Sequence, residues 1–242
     1  MKLARLICFA LLASLAGAGH AQKAAAADTE RFEVSSIKAV RPTLVNTINA
    51  LKKGDAAAAQ AAFDAYDSAW NGIEVYINTR DKSMSGELEQ TWQSKIAKEL
   101  NAPTVDIAAT LADAQMMLAR FDDAIAMVEK GAPLNPLFDD VARLRIVRAP
   151  LRGVTSGLKA GDFAKARTAY SAFDDKWDSI EDLIKARSQD AYTAIEKDMI
   201  QIEKALMPEK PDVDSTTALV KDIMDKYNAV VSDITKEAWT PK

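Results

Sequence analysis

Residues 40–80 read VRPTLVNTINALKKGDAAAAQAAFDAYDSAWNGIEVYINTR, and residues 147–187 read VRAPLRGVTSGLKAGDFAKARTAYSAFDDKWDSIEDLIKAR. When position 40 is placed on position 147, the two stretches are identical at 17 of 41 positions. The segments that follow, 98–130 and 204–236, align more loosely and with small shifts. Self-similarity at a long, fixed period indicates a duplicated structural unit. The sequence therefore predicts two copies of one unit, residues 36–130 and 139–236, joined by a linker over 131–138.

Both copies have the hydrophobic spacing of helices, because apolar residues recur three to four positions apart and period-two alternation is absent. This spacing predicts helices over 36–53, 55–81, 84–100 and 104–130, and again over 139–160, 162–188, 190–206 and 214–236. Gly54 and Gly161 are expected to end a helix in the left-handed conformation, and Asp55 and Asp162 to cap the next. Short connections make neighbouring helices antiparallel. The predicted fold is all-α and internally duplicated, with two up-down four-helix units related by a pseudo-twofold.

The edges of the predicted units are less sharply defined. Pro42 and Pro150 fall near the start of the first helix of each copy. Proline is tolerated in the first turn of a helix but kinks its interior, so each helix either begins there or bends there. Outside the units, residues 22–35 are predicted to form a flexible N-terminus and residues 237–242 a C-terminal tail.

Residues 1–21 have the pattern of a secretory signal peptide. Lys2 and Arg5 supply the charged start, residues 6–15 are apolar, and residues 19–21 form a small-residue cleavage site. No later apolar run approaches the ~20 residues that span a bilayer. We therefore expect a periplasmic protein without a membrane span in its mature chain.

Removal of the signal peptide would also remove Cys8 and His20, the single cysteine and the single histidine. The mature chain would then lack a thiolate nucleophile, a zinc–thiolate site, a Ser-His-Asp triad and a histidine-ligated haem. Its formal charge would change from −4 to −6, which disfavours nucleic acid as a partner. No phosphate-binding glycine loop is present in the sequence. The expectation is that the protein is not an enzyme.

The second predicted helix of each copy places carboxylates beside its apolar stripe. The stripes are Ala59, Phe63, Tyr66, Trp70, Ile73 and Ile77, and then Ala166, Tyr170, Phe173, Trp177, Ile180 and Ile184. Glu74 projects about 60° from the centre of its stripe, with Asp67 at the edge, and Glu181 and Asp174 repeat this arrangement. An unpaired, ionised carboxylate in a core costs several kcal/mol. Each glutamate must therefore be protonated, with a pKa raised by desolvation, or be hydrated, paired or bound to a cation.

Ion pairs are one interpretation of these acidic residues. Arg41 and Asp67 lie equally far from Gly54 on either side of it, so they would be level in an antiparallel hairpin. Arg148 and Asp174 are spaced in the same way in the second copy. The spacing predicts structural bridges Arg41–Asp67 and Arg148–Asp174. For the glutamates, the candidate basic partners are Lys95 or Lys98, and Lys197 or Lys204.

A metal site is the other interpretation, with Asp67 and Glu74 as ligands in the first copy and Asp174 and Glu181 in the second. Without thiolate or imidazole, the remaining ligands are mainly oxygens, which suit iron, calcium, magnesium or manganese. A cofactor, if present, is therefore expected to be iron or another oxygen-liganded cation.

Residues 54–89 resemble the helical extracytoplasmic segments of bacterial relatives of the oxidase-dependent high-affinity iron permeases. The matching positions are Gly54-Asp55, Asp64-Ala65-Tyr66, Trp70, Glu74, Arg80 and Glu87-Leu88-Glu89. The second copy matches at Gly161-Asp162, Ala172-Phe173, Trp177, Glu181 and Arg187, without the Glu-Leu-Glu. The membrane part of such permeases, with its Arg-Glu-x-x-Glu motif, is absent from this sequence. The resemblance implies a soluble partner in iron handling and favours iron over calcium.

Three functional hypotheses follow. The first is a periplasmic protein that binds or delivers a hard metal ion, iron above all, as the soluble partner of a membrane iron permease. The second is a helical interaction scaffold that docks on a partner protein, with its glutamates satisfied by basic side chains. The third is a small-molecule-binding bundle with a pocket between the two copies.

Overall fold

The computed structural model describes residues 30–240. The predicted signal peptide and residues 22–29 of the predicted flexible N-terminus lie outside the described residues. From Arg31 onward the chain forms one compact unit. Within residues 30–240 the structure is helical and contains no strand, which confirms the all-α class.

The first half, residues 31–130, follows the predicted order of helices. It contains α1 (Phe32–Lys52), α2 (Ala56–Arg80), α3 (Lys82–Gly86), a π-helical segment (Glu87–Gln93), α4 (Ser94–Leu100) and α5 (Ile107–Lys130). The third predicted helix is thus α-helical at both ends and π-helical in its middle. The first helix begins at Phe32, one turn earlier than expected.

The second half, residues 131–240, contains more interruptions. Its helices are α6 (Leu137–Arg148), α7 (Leu151–Ala160), α8 (Phe163–Trp177), α9 (Glu181–Arg187), α10 (Gln189–Leu206) and α11 (Val213–Ala238). The prolines of the two halves occupy different positions relative to the helices. Pro42 lies inside the continuous α1, whereas Pro150 lies at the junction of α6 and α7.

The first corner of each half has the predicted geometry. Gly54 and Gly161 have φ values of +72° and +69°, which L-residues with a side chain rarely adopt. Asp55 and Asp162 then cap the following helix, each accepting a hydrogen bond of 2.9 Å from the backbone N–H three residues later. Helix direction therefore reverses at the same place in both halves.

Apolar and aromatic side chains fill the interior, and every residue of the two predicted stripes is buried. In the first half, α1 packs on α2 and α5. In the second half, α6 and α7 together take the place of α1. Helix α7 packs on α8, and α6 and α7 both pack on α11. Packing of this kind, rather than intrinsic helix propensity, supplies most of the stability of such helices.

The two halves meet where α2 packs on α6. Gly72 allows this approach, because a Cβ atom at this position would come within 2.2 Å of Cγ1 of Ile146. Nearby, the hydroxyl of Tyr76 donates a hydrogen bond of 2.9 Å to Asp139. The predicted inward carboxylate of α2, Glu74, lies on this same segment.

Candidate functional site

Glu74 pairs with a side chain from the other half of the chain. Its Oε1 accepts a hydrogen bond of 2.5 Å from Nη1 of Arg145 in α6, and the two side chains are 28% and 21% exposed. The predicted lysine partner Lys95 instead bridges to Asp113 at 2.8 Å. The expected class of partner, a basic side chain, is therefore present, but it comes from α6 in the second half and not from the first half.

Burial dominates the electrostatics of Glu74. Desolvation raises the pKa of its carboxyl group above the usual value, and the nearby Glu89 acts in the same direction. The positive charge of Arg145 opposes this shift without cancelling it. The pKa is thus raised although the side chain is paired, so burial outweighs the attraction of the ion pair.

Asp67 and Arg41 do not form the predicted bridge. Arg41 donates from Nε and Nη2 to the two carboxylate oxygens of Asp122 in α5, at 2.6 and 2.9 Å. Asp67 accepts a hydrogen bond from the side-chain amide of Gln93, at the end of the π-helical segment. The prediction was wrong because residues at one level of a hairpin need not face each other: α1 also packs on α5, and Arg41 turns to that side.

The second predicted bridge, Arg148–Asp174, is also wrong. Arg148 donates from Nη1 to the side-chain oxygen of Asn228 in α11. Asp174 is largely exposed. The small part of its carboxyl group that is desolvated, together with Glu203 and other acidic neighbours, raises its pKa. As in the first half, the arginine faces the last helix of its half and not the neighbouring hairpin helix, because α6 packs on α11.

Glu181, the fourth predicted ligand, is the first residue of α9 and accepts a hydrogen bond of 3.3 Å from the hydroxyl of Tyr192. Glu74 and Asp67 in α2 likewise have protein partners. Over residues 30–240, no group of three or more acidic, histidine or cysteine side chains is arranged to hold a metal ion.

Sequence reasoning missed a cleft of about 500 Å³ between α6, α7 and α11. Its basic side chains are Arg145, Arg148, Arg152 and Lys236, and Met224 and Trp239 add apolar surface. None of its lining residues is acidic. One signal was available: in the loose alignment of 98–130 with 204–236, Asn228 stands opposite Asp122.

Comparisons with known proteins do not assign this site. No protein-family model matches the chain, and neither the curated proteins nor the solved structures yield a match. The helices of the described part are all too short or too polar to cross a membrane.

Proposed function

We propose that this protein is a non-enzymatic helical scaffold, exported to the periplasm, that acts by binding a partner. We further propose that it arose by duplication of one four-helix unit. The observation that carries the scaffold proposal is the ion pair between Glu74 in α2 and Arg145 in α6.

Corresponding residues support the duplication. Gly54 and Gly161, which align with each other, take the same left-handed conformation at the same corner. Trp70 and Trp177 align in the same register and are both buried in the core. The helix that packs across each corner, α1 in one half and α6 with α7 in the other, contacts the last helix of its own half.

The Glu74–Arg145 pair favours a structural role for the inward carboxylate. It joins the two halves two residues from Gly72, where α2 packs tightly against Ile146 of α6. A cation at Glu74 would have to displace Arg145 or lie next to it. Two like charges 4 Å apart repel by about 4 kcal/mol at an effective dielectric constant near 20. A fixed relation between two helical halves is, in contrast, what a docking scaffold requires.

An iron-binding partner of a membrane permease is the competing proposal. It requires Asp67 and Glu74 to converge on one ion, and Asp174 and Glu181 on another. Asp67 is instead bound to Gln93, and Glu181 to Tyr192. These hydrogen bonds would have to break before either pair could coordinate a metal.

Calorimetry separates the two proposals. Ferrous iron, calcium and manganese would each be titrated into metal-free protein, without oxygen for iron, and into the variants Glu74→Gln and Glu181→Gln. The scaffold proposal predicts no stoichiometric binding that depends on either glutamate. Stoichiometric binding that either substitution removes would overturn it in favour of the metal carrier.

A second measurement tests the scaffold directly. Replacement Arg145→Gln should increase amide hydrogen exchange in α2 and α6, because it removes the charge that joins them. Replacement Arg41→Gln is the matched control, since it breaks an ion pair within the first half. Equal effects of both variants on α2 and α6 would contradict the proposed joining role.

A further inference from the structure

Each half contains an arginine at the same aligned position, but the two arginines have different partners. Arg41 in α1 is neutralised by Asp122 in α5 through two hydrogen bonds. Arg148, the aligned counterpart of Arg41, faces Asn228 in α11, which aligns with Asp122. An amide accepts a hydrogen bond but carries no charge. The second half therefore keeps the arginine and lacks its carboxylate.

The surroundings of Arg148 leave its positive charge poorly compensated. Its Nε atom is buried and has no hydrogen-bond partner in the described structure. Burial, then Arg145 and Arg152, lower the pKa of its guanidinium group. Across residues 30–240, no carboxylate lies within ion-pair distance of Arg148 or Arg152, and the one acid that pairs with Arg145 is Glu74. A buried N–H without a partner costs about 1–3 kcal/mol.

These arginines line an open space. The cleft between α6, α7 and α11 measures about 500 Å³, within the range typical of small-molecule sites. Lys236 adds a fourth basic group, although it also pairs with Asp233 at 3.0 Å. Trp239, which is half exposed, and Met224 provide apolar contact area in the same cleft. The space thus combines excess positive charge with an apolar surface.

We propose that this cleft binds a small organic anion, whose carboxylate or phosphate group is held by Arg148 and Arg152 and whose apolar body contacts Met224 and Trp239. Guanidinium groups suit this task because their N–H donors match the geometry of carboxylate and phosphate oxygens. The ligand would supply the negative charge that Asp122 supplies in the first half.

The site lies within the second half, whereas the third hypothesis from the sequence places a pocket between the two copies. It goes beyond the scaffold function, because the proposed anion contacts are Arg148 and Arg152, whereas the scaffold proposal rests on the Glu74–Arg145 pair. Either proposal can therefore fail while the other stands.

The test uses the full chain and three probes: inorganic phosphate, phenyl phosphate and phenylacetate. Binding is measured by calorimetry at low and at physiological salt, at probe concentrations up to the millimolar range. We expect at least one aromatic anion to bind with 1:1 stoichiometry and at least tenfold more tightly than inorganic phosphate. A preference between the two aromatic probes identifies the head group, and equal binding assigns a general oxyanion site.

Two variants locate the binding. Arg148→Gln and Asn228→Asp should each weaken it at least tenfold, the first by removing the donor and the second by supplying an internal carboxylate. Asn228→Asp should also raise the melting temperature, so its loss of binding would not reflect misfolding. The control Arg41→Gln should leave the affinity unchanged.

Three results would overturn the proposal. These are no binding of any probe, binding that survives both variants, and inorganic phosphate binding as tightly as the tighter of the two aromatic probes. The last result would remove the role of the apolar surface and leave an ion site only.

Discussion

Over the described residues, the two halves have a similar order of helices but differ in which buried polar groups lack a hydrogen-bond partner. In the first half, the hydroxyl of Tyr66 and the indole N–H of Trp70 are buried without a hydrogen-bond partner in the described structure. In the second half, Phe173 replaces the tyrosine, and the indole of Trp177 donates to Glu196. For the aligned arginines the first half is the better satisfied: Arg41 pairs with the carboxylate of Asp122, whereas Arg148 has the uncharged amide of Asn228. Two halves with matching buried stripes can thus differ in their polar contacts.

The π-helical segment accompanies one of these differences. Glu196, the acceptor for the second-half indole, lies in the continuous helix α10. In the register that aligns the two tryptophans, its counterpart is Glu89, which lies in the π-helical segment and is exposed. In that half Gln93 reaches Asp67 instead. Single π-helical turns within α-helices occur frequently at functional sites.

The largest expected effect concerns the contact between the halves. Gly72→Ala places a methyl group 2.2 Å from Cγ1 of Ile146, so the Ile146 side chain, and with it the packing of α2 on α6, must shift. We expect a net loss of up to about 2 kcal/mol of unfolding free energy, since overpacking costs ~1–3 kcal/mol and the better helix former returns about 1. Urea denaturation measures it. Ser179→Ala, at the corresponding exposed position, should change stability by less than about 0.5 kcal/mol.

A smaller effect tests the unsatisfied hydroxyl. Tyr66→Phe makes the first half resemble the second and removes a buried group without a partner, so unfolding free energy should stay constant or rise by up to about 1 kcal/mol. Tyr170→Phe is the control, because its hydroxyl donates to the carbonyl of Met199 at 2.7 Å. That variant should lose about 1 kcal/mol. Equal losses in both variants would show that Tyr66 has a partner in solution.

The smallest effect is a dependence on pH. Because the folded-state pKa of Glu74 is raised, its contribution to stability is full below its ordinary value of about 4.5 and is lost as pH rises through the raised value. The unfolding free energy of the wild type minus that of Glu74→Gln should therefore fall with increasing pH just above 4.5. Urea titrations from about pH 4 to 8 measure this difference. A difference that increases with pH would show that the attraction of Arg145 outweighs desolvation.

Local chemistry made much of the fold predictable. Helical periodicity located the buried stripes, and the glycine–aspartate pairs located both corners, because each signal depends on residues close in sequence. The break at Pro150 was one of the two outcomes predicted there, whereas the continuous helix through Pro42 and the interruption before Glu181 were not predicted, since they depend on tertiary packing. The periplasmic location and the relation to iron remain predictions from the sequence.

The partners of the charged residues were not predictable by the same reasoning. Hairpin register predicted contacts between the first two helices of each unit. The partners of Glu74 and Arg41 instead lie 71 and 81 residues away, on helices whose facing sides the register does not specify. For Arg148 the clue lay in a difference between the copies, an asparagine opposite an aspartate, rather than in a pattern that they share.

The contact between α2 and α6 also bears on how such a chain can evolve. Glu74 belongs to one copy and its arginine to the other, and Gly72 of one copy receives Ile146 of the other. A gene fragment encoding either copy alone would expose a half-buried charge and a groove shaped for the missing neighbour. Neither half alone would keep this contact, so we expect the two segments to stay together in any functional rearrangement of the chain.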